Sequence, residues 1–267
     1  MKNKNKLKVR SVFISDVHLG FRGCQADALL HFLHSVETEY LFLVGDIVDF
    51  WSLSKSSHWP QPHTNVVRSI LGKAKHNTRV IYIPGNHDDV MRDWVGHCFG
   101  NVEVHQDFIH TTADGKKLLV MHGDEFDLVV RHSRFLAKLG SVAYDFLLEM
   151  NQQVNRVRRR FNRSYWSLAA YVKKRVKNAV DYIGNFEAAL AHEARERDVD
   201  GVVCGHIHHA EIRNINGIMY YNDGDWVESC TTLVEHKDGQ LELLHWAERY
   251  EASLAQVVEL PGLRKTA

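Results

Sequence analysis

A chain of 267 residues with 45% hydrophobic content is long enough to bury a core of its own, which excludes a disordered or low-complexity protein. Lysine plus arginine equal aspartate plus glutamate at 33 each, so net charge selects no polyanionic partner for the chain as a whole. Four widely spaced cysteines, Cys24, Cys98, Cys204 and Cys230, form no C-x-x-C pair, which excludes a zinc knuckle and predicts buried thiols without disulfides.

The first ten residues are basic, but no apolar signal core follows them. Instead Val9–Ser15 reads as a buried strand that ends in Asp16-Val17-His18. Leu29, Phe32 and Leu33 recur at helical spacing and predict a helix over Gln25–Val36. The strand Tyr40–Val44 then ends in Gly45-Asp46-Ile47-Val48-Asp49. A second helix, Thr64–His76, leads to the strand Val80–Ile83, closed by Pro84-Gly85-Asn86 because proline and glycine cannot extend a central ladder. This alternation of strand and helix is the pattern of a parallel sheet.

Beyond it a helix is expected near Asp89–Cys98, followed by strands at Val102–Val104, Phe108–Thr111 and Lys117–Met121, the last two joined by an Asp114-Gly115 turn. Residues 125–186 contain no proline and few strand-like runs. Leu136, Leu139, Val142, Phe146 and Met150 follow one another there at three- and four-residue steps, so the segment reads as amphipathic helices. Strands return at Gly201–Cys204, Ala210–Asn214, Ile218–Asn222, Cys230–Glu235 and Gln240–His245, with Asn216-Gly217 and Asp238-Gly239 as hairpin turns. The prediction is an α/β fold, two mixed β-sheets packed as a sandwich and flanked by helices. Residues 1–124 and 187–247 form its core, 125–186 a helical lid, and 248–267 a C-terminal tail. No run approaches the roughly 20 apolar residues that cross a bilayer. A cytoplasmic protein is expected, soluble or peripheral on the inner face of the membrane.

Five polar clusters stand where strands end, and strand ends of an α/β sheet share one rim. They offer Asp16 and His18, then Asp46, then Asn86, then His122, then His206 and His208. Carboxylate, carboxamide and imidazole together suit divalent manganese, iron or zinc. Each cluster alone is weak evidence, whereas the ordered set of five is specific.

In that order D-x-H, G-D-x-x-D, G-N-H-D, H-G-D and G-H-x-H resemble the calcineurin-like metallophosphoesterases. The resemblance implies the sandwich fold and two divalent ions, manganese expected, zinc or iron as alternatives. One ion would lie on Asp16, His18, Asp46 and His208, the other on Asp46, Asn86, His122 and His206, with Asp46 shared. Two such ions lower the pKa of a shared water, so that hydroxide would attack phosphorus without a protein nucleophile. His87 would be the catalytic side chain, protonating the leaving oxygen or stabilising charge, with Asp49 or Asp88 to orient it. Asn86, His87, Asp124 and Asp127 would meet the substrate.

Local features resemble one branch, the hydrolases that cleave UDP-2,3-diacylglucosamine in lipid A assembly. These are Ser15-Asp16-Val17-His18-Leu19-Gly20, Met121-His122-Gly123-Asp124, the helical insertion after it, and the closing Leu244-His245-Trp246. The branch carries arginine where this chain has His87, and histidine is the choice of the wider superfamily. An acid and a bidentate fork differ chemically, so a general phosphodiesterase or nuclease stands as the alternative. An inactive scaffold would have lost ligands, and here every one is present.

Residues 150–180 carry nine basic side chains, Arg156 to Lys177, and no acidic one, interleaved with Phe161, Tyr165, Trp166 and Tyr171. That mixture fits a membrane surface bearing a lipid-linked nucleotide sugar, since cations meet anionic headgroups and aromatics settle at their level. It also fits a nucleic-acid backbone, or a solvated helix face.

Overall fold

The computed structural model describes residues 6–129, 183–184 and 186–258, with side chains at 127–129 and 256–258 left aside. The basic segment 150–180 lies outside the described residues, as does most of the expected helical insertion. The chain divides into two compact units, Met1–Asp124 with Ala191–Ala267, and Glu125–Leu190. All the described strands belong to the first unit.

In chain order that unit begins with β1 (Leu7–Lys8), β2 (Ser11–Ile14), α1 (Ala26–Ser35), β3 (Val36–Glu37), β4 (Tyr40–Val44), α2 (Phe50–Leu53), α3 (Gln61–Lys75) and β5 (Arg79–Ile83). It continues with β6 (Cys98–Phe99), β7 (Val102–Val104), β8 (Phe108–Thr111) and β9 (Lys117–Val120). After the insertion come β10 (Gly201–Cys204), β11 (Glu211–Ile215), β12 (Ile218–Asn222), β13 (Thr231–Glu235), β14 (Leu241–His245) and α4 (Ala247–Val258).

Seven strands pair in the order β14-β13-β2-β4-β5-β7-β6, and five in the order β11-β12-β10-β9-β8. β2, β4, β5 and β7 are mutually parallel, as are β9, β10 and β12. The central strands are apolar at nearly every position because both their faces are covered, and alternation sorts the side chains. Phe13, Phe42, Val44, Ile81 and Ile83 point between the sheets, where they meet Leu118, Val120, Val203 and Tyr221. Phe13 and Phe42 stack there with ring centroids 4.7 Å apart. Their neighbours Val12, Ile14, Leu41, Leu43 and Val80 face the other way, onto Leu29, Phe32 and Leu33 of α1 and Val66, Ile70 and Ala74 of α3.

Two local expectations change, the helix after β5 and the burial of all four cysteines. The segment expected as a helix to Cys98 is only a 3-10 turn, Asp89–Trp94, followed by the edge strand β6. Gly96, at φ 84°, reverses the chain between them. Residues 248–258 of the expected tail belong to α4, whose Ala247 and Tyr250 pack on the helix-side core. All four cysteines are free, but Cys98 is exposed and Cys24 half-buried, so only Cys204 and Cys230 fit the expectation of buried thiols.

At the rim where β2 begins, Glu235 is fully buried and holds the sheets together. Arg10 Nη1 donates to its Oε1 at 2.7 Å and the Ala113 amide to the same atom at 2.8 Å. His110 Nε2, from β8 of the other sheet, lies 2.8 Å from Oε2, and the Ser11 hydroxyl donates to that oxygen. Among the described residues no helix is long and apolar enough to cross a membrane.

Candidate metal centre

The loops leaving β2, β4, β5, β9 and β10 converge at the opposite rim, since parallel strands bring their carboxyl ends together. The loops after β2 and β4 run on side by side. The Asp16 amide donates to Gly45 O at 3.1 Å, His18 N to Asp46 O at 2.9 Å and Leu19 N to Ile47 O at 2.9 Å. Asp16, His18, Asp46, His206 and His208 all adopt left-handed backbone, with φ of 49°, 54°, 53°, 70° and 54°. Non-glycine residues rarely adopt it, and such strain clusters at working sites where the surroundings enforce it. Crowding also explains two of the glycines. A Cβ on Gly45 would stand 2.2 Å from His122 Nδ1, and one on Gly205 would stand 2.2 Å from Ser15 Oγ.

Three groups of side chains each offer ligand atoms within 4.8 Å of one another: Asp16, His18 and His208; Asp46, His122 and His206; and His18, Asp49 and His87, of which the first two hold the expected ligands. His208 Nε2 is 2.9 Å from Asp16 Oδ1 and His18 Nε2 is 3.7 Å from it. Asp46 Oδ2 lies between the first two groups, 3.5 Å from His122 Nε2 and 3.8 Å from His18 Nε2. Atoms about 2.1 Å from one ion lie about 3.0–3.4 Å from each other, so these separations are close to those of shared coordination. Asp16 Oδ1, His18 Nε2, Asp46 Oδ2, Asn86 Oδ1, His122 Nε2 and His208 Nε2 are all buried without a hydrogen-bond partner. Buried polar atoms are as a rule satisfied, so six such ligand atoms without a hydrogen bond at one rim call for a cation.

The far side of three rings is fixed. His122 Nδ1 donates to Val44 O at 2.8 Å, which turns the Nε2 lone pair inward. Asp49 holds two histidines at once, His18 Nδ1 at 3.2 Å and His87 Nδ1 at 3.0 Å, and also accepts from Ser52 N at 2.7 Å. Burial alone would raise the Asp49 carboxyl, but hydrogen bonds from His18, His87 and Ser52 hold it well below the usual range. Asp88, the other candidate orienter, serves the backbone instead, accepting from Gly85 N at 2.6 Å, Ile47 N at 2.8 Å and the Tyr82 hydroxyl. His87 lies with its ring edge-on to His18 and under Trp51, centroids 4.6 and 4.2 Å away.

Charge is concentrated here. Burial opposes protonation of His18 and His122, yet Asp16, Asp46 and their neighbours push the two rings up to about 9 and about 10. Burial also works against ionisation of Asp46, but His122 above all holds it down to about 2. Protons on imidazole balance the carboxylates, and a cation that binds such a site displaces them.

The sequence matches the family of calcineurin-like phosphoesterases across residues 9–210, most of the chain. The chain belongs to the calcineurin-like phosphoesterase family. A UDP-2,3-diacylglucosamine hydrolase of Neisseria gonorrhoeae is 26% identical over 231 residues, 81% of this chain and 89% of its own. One from Aliivibrio fischeri is 24% identical over 249 residues, 85% of this chain and 94% of its own. Among solved structures, an archaeal phosphodiesterase aligns with 88% of this chain and 98% of its own at 10% identity and a TM-score of 0.42. The protein is a hydrolase that acts on phosphoester bonds, and its family implies divalent metal ions.

Other residues of this phosphoesterase stand apart from the two groups. Both oxygens of Asp124 lie 2.7 Å from Arg92 Nη2, which anchors the 3-10 turn to the loop after β9. Asp127 has its backbone in the 3-10 turn Asp124–Val129, and its side chain lies outside those described. His209 is exposed and sits 3.7 Å from Glu211. The motif reading missed Ser15 and the buried turn Asn222-Asp223-Gly224-Asp225-Trp226. The signal was present, a D-G-D run at a strand end like the ligand clusters, but with no histidine in it.

Proposed function

We propose that this phosphoesterase cleaves a pyrophosphate-linked nucleotide lipid of the UDP-2,3-diacylglucosamine kind, releasing UMP and a lipid monosaccharide phosphate. The observation that carries the metal-dependent part is Asp46 Oδ2, bare and buried between two ligand groups. Asp16, His18, Asp46 and His208 would hold one divalent ion, and Asp46, Asn86, His122 and His206 a second. When bound, the ions supply Lewis-acid charge for the phosphate oxygens and a water of lowered pKa.

The chain's own residues supply the rest. His87 Nε2 stands 4.0 Å from Asp46 Oδ2, so the ring directs that nitrogen toward the ligand groups. With Nδ1 held by the ionised Asp49, His87 is oriented to deliver a proton from Nε2 to the leaving oxygen. Asn86, beside it, would direct its bare amide oxygen to an ion and its amide hydrogens to phosphate. The substrate class is supported by the relatives' names over most of both chains. Manganese as the ion, and a place on the cytoplasmic face of the membrane through basic residues 150–180, belong to the same proposal.

A general phosphodiesterase is the second reading, favoured by His87 where that branch carries arginine. Purified protein with manganese should be assayed on UDP-2,3-diacylglucosamine, a UDP-sugar without acyl chains, single-stranded DNA and an aryl phosphodiester. Turnover confined to the acylated substrate supports the first reading. Hydrolysis of DNA or the aryl diester without turnover of the lipid overturns it in favour of the second. Elemental analysis of protein as isolated names the metal.

A further inference from the structure

The buried turn 222–226 leads from β12 of one sheet to β13 of the other and touches both halves of the metal centre. Asp223 N donates to Cys204 O at 3.1 Å, Asn222 Nδ2 to Gly205 O at 2.8 Å, and Trp226 N to Asp16 O at 3.1 Å. Within it stands a hydrogen bond that cannot be made with the usual charges. Ser15 Oγ lies 2.7 Å from Asp16 Oδ2, 2.7 Å from Asp223 Oδ1 and 3.0 Å from Gly224 O.

A serine hydroxyl owns one hydrogen, and each of the two 2.7 Å pairs with a carboxyl oxygen needs a proton between its members, whereas the Gly224 carbonyl at 3.0 Å is the longer contact. One of the two carboxyl groups must therefore supply the second. Asp16 is badly placed to do so, because its Oδ2 already accepts from His206 N at 2.7 Å and its Oδ1 faces His208 Nε2 at 2.9 Å. Asp223 is fully buried and its Oδ2 has no hydrogen-bond partner, an arrangement far less costly for a neutral acid than for a carboxylate.

We propose that Asp223 is a positioning residue of the metal centre, a neutral acid that donates to Ser15, whose hydroxyl donates to Asp16 Oδ2 and leaves Oδ1 to the metal. The carboxylate is thereby clamped on one oxygen by Ser15 and His206 N, and its plane is set before any ion arrives. Burial and then the charge of Asp16 push the Asp223 carboxyl well above its ordinary range, against the Ser15 hydrogen bond. The proposal rests on Asp16 as a metal ligand.

Manganese alone is titrated calorimetrically into metal-stripped wild type, Asp223→Asn, Asp223→Leu and Ser15→Ala. Asparagine can donate from its amide where the acid donates from its hydroxyl, so Asp223→Asn should stay within a few-fold of wild type. Asp223→Leu and Ser15→Ala should weaken one of the two manganese equivalents by about 10- to 100-fold. The infrared difference between wild type and Asp223→Asn at neutral pH should contain the carbonyl stretch of a protonated carboxylic acid. An asparagine variant that binds as weakly as the leucine one overturns the proposal, as does a difference spectrum holding carboxylate bands alone. Unchanged manganese affinity in Ser15→Ala overturns it too, and that variant removes one oxygen, so it tests the clamp even where Asp223→Leu does not fold. Two undiminished equivalents in Asp16→Ala would instead sink the ligand assignment beneath it, while the infrared band still decides the charge of Asp223.

Discussion

At the rim where β2 begins, Glu235 is fully buried and both its oxygens are taken, by Arg10 and the Ala113 amide on one side and by His110 and Ser11 on the other. At the rim where β2 ends, Asp16 and Asp46 are equally buried, yet each keeps one oxygen without a hydrogen bond, facing only the ring nitrogens of other candidate ligands. Both rims bury carboxylates opposite histidine, so burial and charge do not distinguish them. Satisfaction does. A carboxylate with every lone pair engaged fastens two sheets, whereas one held on a single oxygen and bare on the other is built for something that arrives later. The backbone agrees, since five candidate ligands hold left-handed φ values and none of the Glu235 partners does.

The contrast is tested hardest at Asp46. Asp46→Asn keeps a hydrogen-bond acceptor for the His87 amide but removes the charge between the two ligand groups. Activity should fall by about 10³-fold or more, because several kcal/mol of charge stabilisation are lost at 1.36 kcal/mol per decade. In chelator, the variant should melt only slightly below wild type, because the protons that His18 and His122 hold against Asp46 can leave with its charge. A stripped variant that melts far below wild type would place Asp46 with Glu235 and erase the distinction.

His87→Ala should lower kcat by about 10²–10⁴-fold on a poor leaving group, the range of a lost general acid. On a good aryl leaving group the loss should be much smaller, because that oxygen departs without a proton. Manganese stoichiometry should stay at wild-type level. Equal losses on both substrates would mean that His87 acts on something other than the leaving group.

These side chains were largely legible in the sequence because strand ends are punctuated. Val44 stops a buried run and Gly45-Asp46 begins a loop, and the same grammar marks Asn86, His122 and His206. The sheets were legible for a related reason, since buried runs such as Val80–Ile83 are too short and too rich in β-branched residues for helices. What stayed hidden is carried by single polar atoms across long separations. Asp49 rather than Asp88 orients His87, although both are aspartates beside a motif, and only the fold decides which ring each one reaches. Ser15 and Asp223 meet across 208 positions, and Glu235 meets Arg10 across 225. The end of the helix expected at 89–98 was lost to Gly96, whose positive φ left no trace in hydrophobic periodicity.

Glu235→Gln is expected to destabilise the protein by about 3 kcal/mol, because Arg10 and His110 then face a neutral amide in a dry site. Activity per folded molecule should be unchanged. Burial would raise the Glu235 carboxyl, but hydrogen bonds from His110, Ser11 and the Ala113 amide hold it below its ordinary 4.5. Its contribution is therefore complete above pH 4.5 and is lost as pH falls through the lower folded value. Urea melts across acid pH should lose stability less steeply in the variant than in wild type. Parallel pH profiles would remove Glu235 from the account of acid unfolding.

The smallest effect separates burial from bond length. Arg79 donates to Glu103 through Nε at 2.7 Å and Nη2 at 2.8 Å, contacts as short as those of Glu235. Its side chain is 46% exposed, against 0% for Glu235, and solvent screens the pair. Arg79, ahead of His105, still draws the Glu103 carboxyl down to about 2, so the two charges do interact. Arg79→Ala should nonetheless cost only about 0–1 kcal/mol, with most of that gone in high salt. If its urea midpoint fell as far as that of Glu235→Gln, distance alone would rank the ion pairs of this protein. If the two differ as expected, the desolvated side chain makes the difference, and the bare oxygens of Asp16 and Asp46 stand on the costly side of it.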